Sequence, residues 1–417
     1  GEAMPTLLKP NFISKKQSIL LKEGVEMMSR ALTKFIGLYL RDDRVKEIMG
    51  FSDKEEDLFR IDPGYSNPLV ISRLDAFLAG YSIKFLEFNC DSPAGIAYAD
   101  VLEEGFKQLF EGYPFLQKYH IDYARRQDML LASLLNSYAE FRSSKPHMPE
   151  KPVIAIVDWT DVSTYSEFVL HQKHFGSRGI ETVIAAPRDF SIRDGKAMVH
   201  GQEVHLVYKR VITRELVARY DEAETFVEAI REGLICSCNS FRSFIVGNKK
   251  VLSVITDQRF NFIFTPEELQ LIKETVPWTR ILADSREKYR GNEVELKTFI
   301  PEHKDQLVLK PSNKYGGKDV YIGRATAQST WEKIMNEHLD DNSWVVQDFV
   351  DIPTDSFPEI SGSLRFKSKY VNINPFSLNG NYSGTITRVS DSQVINVSAG
   401  GGLVPTLTAF PLDTDPE

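Results

Sequence analysis

Residues 72–95, SRLDAFLAGYSIKFLEFNCDSPAG, constrain the fold more than any other stretch of the chain. Two runs of alternating character flank a turn at Gly80 and read as a β-hairpin. On the first strand Leu74, Ala76 and Leu78 share one face, with Arg73 and Asp75 on the other. On the second, Leu86 and Phe88 point one way and Glu87 and Asn89 the opposite way. A three-residue turn, Gly80 to Ser82, sets a register in which Asp75 opposes Glu87. Like charges so placed repel unless a cation lies between them. Two carboxylates beside an amide carbonyl are hard oxygen ligands of the kind that hold Mg²⁺ against substrate phosphates. A half-exposed hairpin with solvated charges has the same spacing, so strand geometry alone leaves both readings open.

A length of 417 residues predicts two or three domains. Hydrophobic residues at 42% and charged ones at 26% are ordinary for a globular protein. A formal charge of −8 gives no overall footprint for nucleic acid or an anionic membrane, so neither is an expected partner. No apolar run is long enough to span a bilayer, and the start lacks the apolar core of a signal peptide, which predicts a cytoplasmic protein. Gly1, Glu2 and Ala3 precede Met4 and are set aside as a remnant. Cys90, Cys236 and Cys238 indicate neither a disulfide framework nor a zinc site.

Leu20, Leu21, Val25, Met28, Leu32, Ile36 and Leu40 recur at near-helical spacing, so the chain begins with amphipathic helices. After the hairpin, 99–119 and 122–143 read as further helices. The stretch RSSKPHMPEKP at 142–152 marks a boundary. Beyond it VIAIVDW, a helix bearing Tyr165 and Phe168, ETVIAAP and VHLVYKRV alternate strand and helix, as a parallel sheet requires. Asp158–Ser163 and Lys209–Arg210, at strand ends, are nominated to read a substrate. Lys249 and Lys250 sit on a turn entering a helix. From about residue 290 the pattern changes to strands and glycine loops. QLVLKPSNKYGGKDVYIG carries Lys310 before Gly316 and Gly317, whose lack of a Cβ lets backbone approach phosphate oxygens. SWVVQDFVDIP and SLRFKSKYVNI are strands. Arg388 and Asn396 flank a turn at Asp391 and Ser392, and Gly400, Gly401 and Gly402 follow. The expected units are 1–148, holding the helices and hairpin; 149–240, an α/β substrate domain; and 241–417, the nucleotide-binding part.

Together these signals resemble the ATP-grasp superfamily of ATP-dependent carboxylate ligases. RLD at 73–75 and EFNCDSPAG at 87–95 match the RxD…ExN pattern that comes last in ordinary members such as D-alanine–D-alanine ligase. Here it precedes KPSNKYGG, an order similar to eukaryotic glutathione synthetase and the glutathionylspermidine synthetase group. The resemblance implies an α/β (α+β) fold, a circularly permuted ATP-grasp with an inserted parallel-sheet substrate domain. It implies Asp75, Glu87 and Asn89 as ligands of one or two Mg²⁺ ions and Arg73 and Arg388 as the arginines facing phosphate. Lys310, one of Lys249 and Lys250, and Gly316 and Gly317 would hold ATP. Gln347, Asp348, Phe349 and Val350 would form the strand that reads adenine through backbone groups, and Gly400–Gly402 the C-terminal glycine turn.

The implied reaction is ADP-forming ligation of a small carboxylate and a small amine through an acyl-phosphate, with a homodimer allowed. Kinase use of the same fold, or ATP binding by a degenerate site, are the alternatives. Lys314 stands where eukaryotic glutathione synthetase places a metal-binding glutamate, which puts glutathione synthesis itself in doubt. Cys90 has no candidate base beside it in the motif, and His171 and His174 lack the spacing of a metal site.

Overall fold

The computed structural model describes residues 5–314, 316–395 and 401–412. The first long helix, Lys15–Tyr39, starts at Ser14, which exchanges hydrogen bonds with Gln17 in a capping box. Leu21, Val25, Met28, Leu32 and Ile36 form its buried stripe, as the spacing predicts. Leu20 and Leu40 lie at its partly buried margin.

That stripe packs on the largest sheet, which joins the two ends of the chain. Its central order is Asn11–Ile13, Gly402–Pro411, Asn381–Ser390, Ser363–Leu378, Ile71–Ala79 and Ser82–Asn89. The early hairpin is therefore the far edge of a sheet built from the last strands.

Asp75 does oppose Glu87, but by another route than a three-residue turn. Gly80 and Tyr81 alone make the turn, so Ala79 pairs with Ser82. A bulge then inserts Leu86 between the Ala76–Phe85 and Asp75–Glu87 pairs and restores the register. Leu86 is thereby turned away from the buried Phe88 face and into a cavity.

A four-stranded parallel sheet follows, in the order Cys236–Cys238, Leu206–Lys209, Ile154–Val157, Thr182–Ala185. Ile154 to Val157 are buried throughout, the signature of a strand covered on both faces. The turn at Asp194 and Gly195 closes a short antiparallel hairpin, Phe190–Arg193 with Lys196–Val199, in the left-handed backbone that such two-residue turns need. A separate core forms around the antiparallel sheet of Thr279–Ile281, Trp344–Asp348, Leu307–Pro311 and Tyr321–Ile322. Helix Gln328–His338 covers it with Trp331, Ile334 and Met335, a helical spacing inside a region read from the sequence as strands and loops.

The end of the parallel sheet grips the loop that follows Asn89. Lys209, expected to face a ligand, is fully buried and donates to Asp91 Oδ1 at 2.6 Å. Thr213 gives Asp91 its amide at 2.6 Å and its hydroxyl at 2.7 Å. Arg210 donates to the Pro93 carbonyl, and Glu167 Oε1 accepts from the amides of Gly95 and Ala97 at 2.8 and 3.1 Å. Both basic residues thus fix the DSPAG loop, because a buried ammonium needs a paired carboxylate. Asp91→Ala strands the Lys209 charge and should cost about 3–5 kcal/mol of stability by denaturant unfolding. A loss below about 1 kcal/mol would show that the loop is held by other means.

Candidate active site

The hairpin register puts Arg73, Asp75, Glu87 and Asn89 on one face, because Arg73 pairs with Asn89 and Asp75 with Glu87. Cations from distant parts of the chain converge on it. Arg388, on a strand 313 residues further on, donates to Asp75 Oδ2 at 2.8 Å, and Arg73 donates to Oδ1 at 3.1 Å. Lys249 pairs with Glu87 at 3.0 Å and also donates to the Lys314 carbonyl at 2.5 Å. The cation that the opposed carboxylates require is supplied by the protein itself.

Lys310 projects from Leu307–Pro311 and donates to Gln347 Oε1 at 2.6 Å, while Gln347 Nε2 donates to Thr279 Oγ1 at 2.9 Å. The Gln347 side chain therefore positions Lys310. Burial, less offset by Glu87 and Asp75 and reinforced by Lys249, brings the Lys310 ammonium down to about 8. Burial alone would raise the Glu87 carboxyl, but Lys249, Lys310 and Arg388 outweigh it and hold it at about 2. Glu87 is thus ionised across the neutral range.

Two cavities meet at Glu87 and Arg388. The first is a slot with apolar walls, among them Phe77, Val308, Ile322, Phe349 and Val350, and with Lys310, Gln347 and Asp348 along it. The Asp348 and Phe349 amides are already given to the carbonyls of Trp278 and Gln306. Asp348 Oδ1 has no hydrogen-bond partner among the described residues, and burial raises its carboxyl. The second cavity is a chamber of about 570 Å³, rich in cations, that runs from Arg73, Asn89 and Lys249 to Asp158, Arg210 and Arg214. Gly316 borders the chamber and Gly317 the slot, both with positive φ, of 72° and 67°, which a side chain would strain.

The other candidates fall elsewhere. Lys250 points away from both cavities and donates to the Met49 carbonyl at 2.9 Å, closing the helix Asp43–Met49. Gly401 and Gly402 are buried at the start of the final strand, and a Cβ on Gly402 would run into Leu7. Gly400 and Asn396 lie outside the described residues. Cys90 is buried, and burial with the charges of Asp91 and Asp75 pushes its thiol well above the usual range, away from nucleophilic use. Sequence reasoning missed Asn372, which pairs with Arg388 across the ladder and donates to the Ala76 carbonyl at 3.0 Å. Arg214 and Lys318, at the chamber wall, were missed too; no local pattern distinguishes them from surface charges.

The oxygen donors fit Mg²⁺ in part. Among the described residues no three His, Cys, Asp or Glu side chains form a metal-holding group. Both Asp75 oxygens are engaged by arginines and Glu87 Oε2 by Lys249, while Glu87 and Asn89 line the chamber, and Asn89 Nδ2 is buried without a partner among the described residues. One carboxylate and one amide oxygen suit an ion that completes its shell with phosphates and water.

A scan of protein-family models and a search of curated proteins both find no match to this chain. Among solved structures, the chain shares its fold with a glutathione synthetase-like effector from Globodera pallida in apo form, with TM-score 0.64 and 10% identity over 97% of this chain and 90% of that one. A γ-glutamylcysteine synthetase candidate from Methylobacillus flagellatus KT aligns at TM-score 0.41 and 11% identity, over 94% and 86% of the two chains. The first likeness establishes the mixed α/β architecture. No helix among the described residues is long and apolar enough to cross a membrane.

An ammonium with a pKa near 8 binds phosphate best below that pH. Affinity for an adenine nucleotide, measured by equilibrium titration from pH 6 to 9.5, should fall as pH rises through about 8. Lys310→Ala should weaken binding roughly 10–100-fold, the worth of a charge-assisted hydrogen bond, and erase that inflection. A pH profile identical in the two proteins would remove Lys310 from the site.

Proposed function

We propose that the chain is an ATP-dependent carboxylate–amine ligase. The observation that carries this reading is the junction itself: Glu87, Lys249, Lys310 and Arg388 meet where an apolar slot opens into a cation-rich chamber. An adenosine moiety suits the slot, where the Val350 amide, without a backbone hydrogen bond among the described residues, is available to read the base. The triphosphate would then lie over the junction, with its terminal phosphate toward the chamber.

Lys310, held by Gln347, and Lys249 would balance charge on the β- and γ-phosphates. Arg73 and Arg388, fixed by the two oxygens of Asp75, would face the oxygens of the group in transfer. Glu87 and Asn89 are the residues that would hold Mg²⁺, which when bound neutralises charge between adjacent phosphates. A substrate carboxylate in the chamber attacks the γ-phosphorus, giving ADP and an acyl-phosphate. An amine then displaces phosphate and forms the amide. No protein nucleophile takes part, in keeping with the buried, protonated Cys90. Gly316 and Gly317 let the loop after Lys310 lie close to phosphate and keep water off the acyl-phosphate.

The second reading, nucleotide binding without ligation, is favoured by one feature. Lys314, in the place of a glutamate in glutathione synthetases, turns its ammonium to Asp319 at 2.6 Å and adds no metal ligand.

A screen of ADP release with ATP, Mg²⁺ and a matrix of amino acids, small peptides and polyamines tests the proposal. The ligase reading requires release that depends on both an acid and an amine, and loss of that release by at least about 10²-fold in Lys310→Ala. Release that needs a single acceptor and yields a stable phosphorylated product assigns a kinase. ATP binding without stimulated release by any pair assigns the degenerate site.

A further inference from the structure

Strands Ile154–Val157 and Leu206–Lys209 lie side by side, and the chain leaves the first toward Thr182–Ala185 before crossing back to the second. Their carboxyl ends therefore flank a topological switch point, the crevice in which open α/β sheets receive ligands. Lys209 is turned back to Asp91, and Arg210 is held by Pro93 and Glu167. Asp158 remains, at the end of the first strand. It lines the chamber that also contains Asn89 and Glu87. Only 8% of Asp158 is exposed, its Oδ1 accepts the Trp159 amide at 2.8 Å, and no ion pair reaches it among the described residues. A buried carboxylate with an uncommitted oxygen, facing a cavity, is equipped to take a proton or a cation.

We propose that Asp158 is the catalytic base that accepts a proton from a primary ammonium co-substrate in this chamber. The inference rests on the ligase reading and adds a residue and a substrate class to it. The co-substrate enters as R–NH₃⁺ and gives one proton to Asp158, which frees the nitrogen lone pair. Nitrogen attacks the acyl-phosphate carbonyl, the C–N bond forms, and the carbonyl C–O bond to phosphate breaks. A second N–H proton leaves with the phosphate as HPO₄²⁻, and Asp158 returns its proton to water. Burial pushes the Asp158 carboxyl up to about 6, helped by Glu215 and opposed by Arg210, the Trp159 amide and Lys209. Such a group is still ionised at pH 7 yet is a better proton acceptor than an ordinary aspartate.

Hydroxylamine discriminates this role from a structural one, because it is a weak base, largely uncharged at neutral pH, and attacks without a proton acceptor. The full chain and Asp158→Asn would be compared with ATP, Mg²⁺ and a panel of amino acids and small peptides as acids, with hydroxylamine or primary amines as acceptors. The variant should bind ATP normally, form hydroxamate within about threefold of wild type, and form amide roughly 10²-fold more slowly at pH 7. The amide rate should recover as pH rises toward the amine's own pKa, and Asp158→Glu should restore part of it. Asp158→Ser replaces the amide variant if that variant does not fold. Equal loss of hydroxamate and amide with ATP binding intact, or unchanged amide formation, overturns the assignment and leaves the ligase reading standing. Wild-type protein that binds ATP but yields neither product with any acid overturns both.

Discussion

Two opposed carboxylates on one buried face of a hairpin repel unless positive charge lies between them, and that requirement ties distant parts of this chain together. Asp75 is satisfied by Arg388 from a late strand and by Arg73 beside it, and Glu87 by Lys249 from the middle of the sequence. Lys310 completes the arrangement from a sheet with its own hydrophobic core. The Arg388 and Lys249 pairs each bring a distant segment to the hairpin, so its charge balance and the closure of the fold are one problem. The same cations, poised over a cavity, are what a polyphosphate needs.

The parallel sheet serves that site from behind. Lys209, Arg210, Thr213 and Glu167 grip residues 91–97 and so fix the strand end that carries Asn89. Basic side chains at such a strand end are expected at a ligand; here one carboxylate of the loop, Asp91, has taken the ligand's place. Asp158, at the neighbouring strand end, and Arg214, paired with Glu55, line the same chamber.

The sequence made the first helix legible because Leu21 through Ile36 keep a single period and pack on one sheet. It made the Asp75–Glu87 pairing legible as well, although a two-residue turn and a bulge at Leu86 do the work assigned to a three-residue turn; bulges leave no trace in alternation. Lys249 and Lys250 are indistinguishable by pattern, adjacent at the start of one short helix, and only the path of the chain sends the first to Glu87 and the second to Met49. The sequence places Gln347 on a strand expected to read a base through backbone groups and says nothing of its side chain, which holds Lys310, a contact set by pairing with Thr279 and Val308 across the sheet. Helix Gln328–His338 was overlooked because its apolar residues are few and flanked by charged ones.

The most direct test of the account is a crystal structure of the full chain with Mg²⁺ and a non-hydrolysable ATP analogue. The account predicts the triphosphate at the junction of slot and chamber, within hydrogen-bond reach of Lys249, Lys310 and Arg388, with the base between Phe77 and the Phe349–Val350 wall. Nucleotide bound away from Glu87 and Lys310 would contradict it.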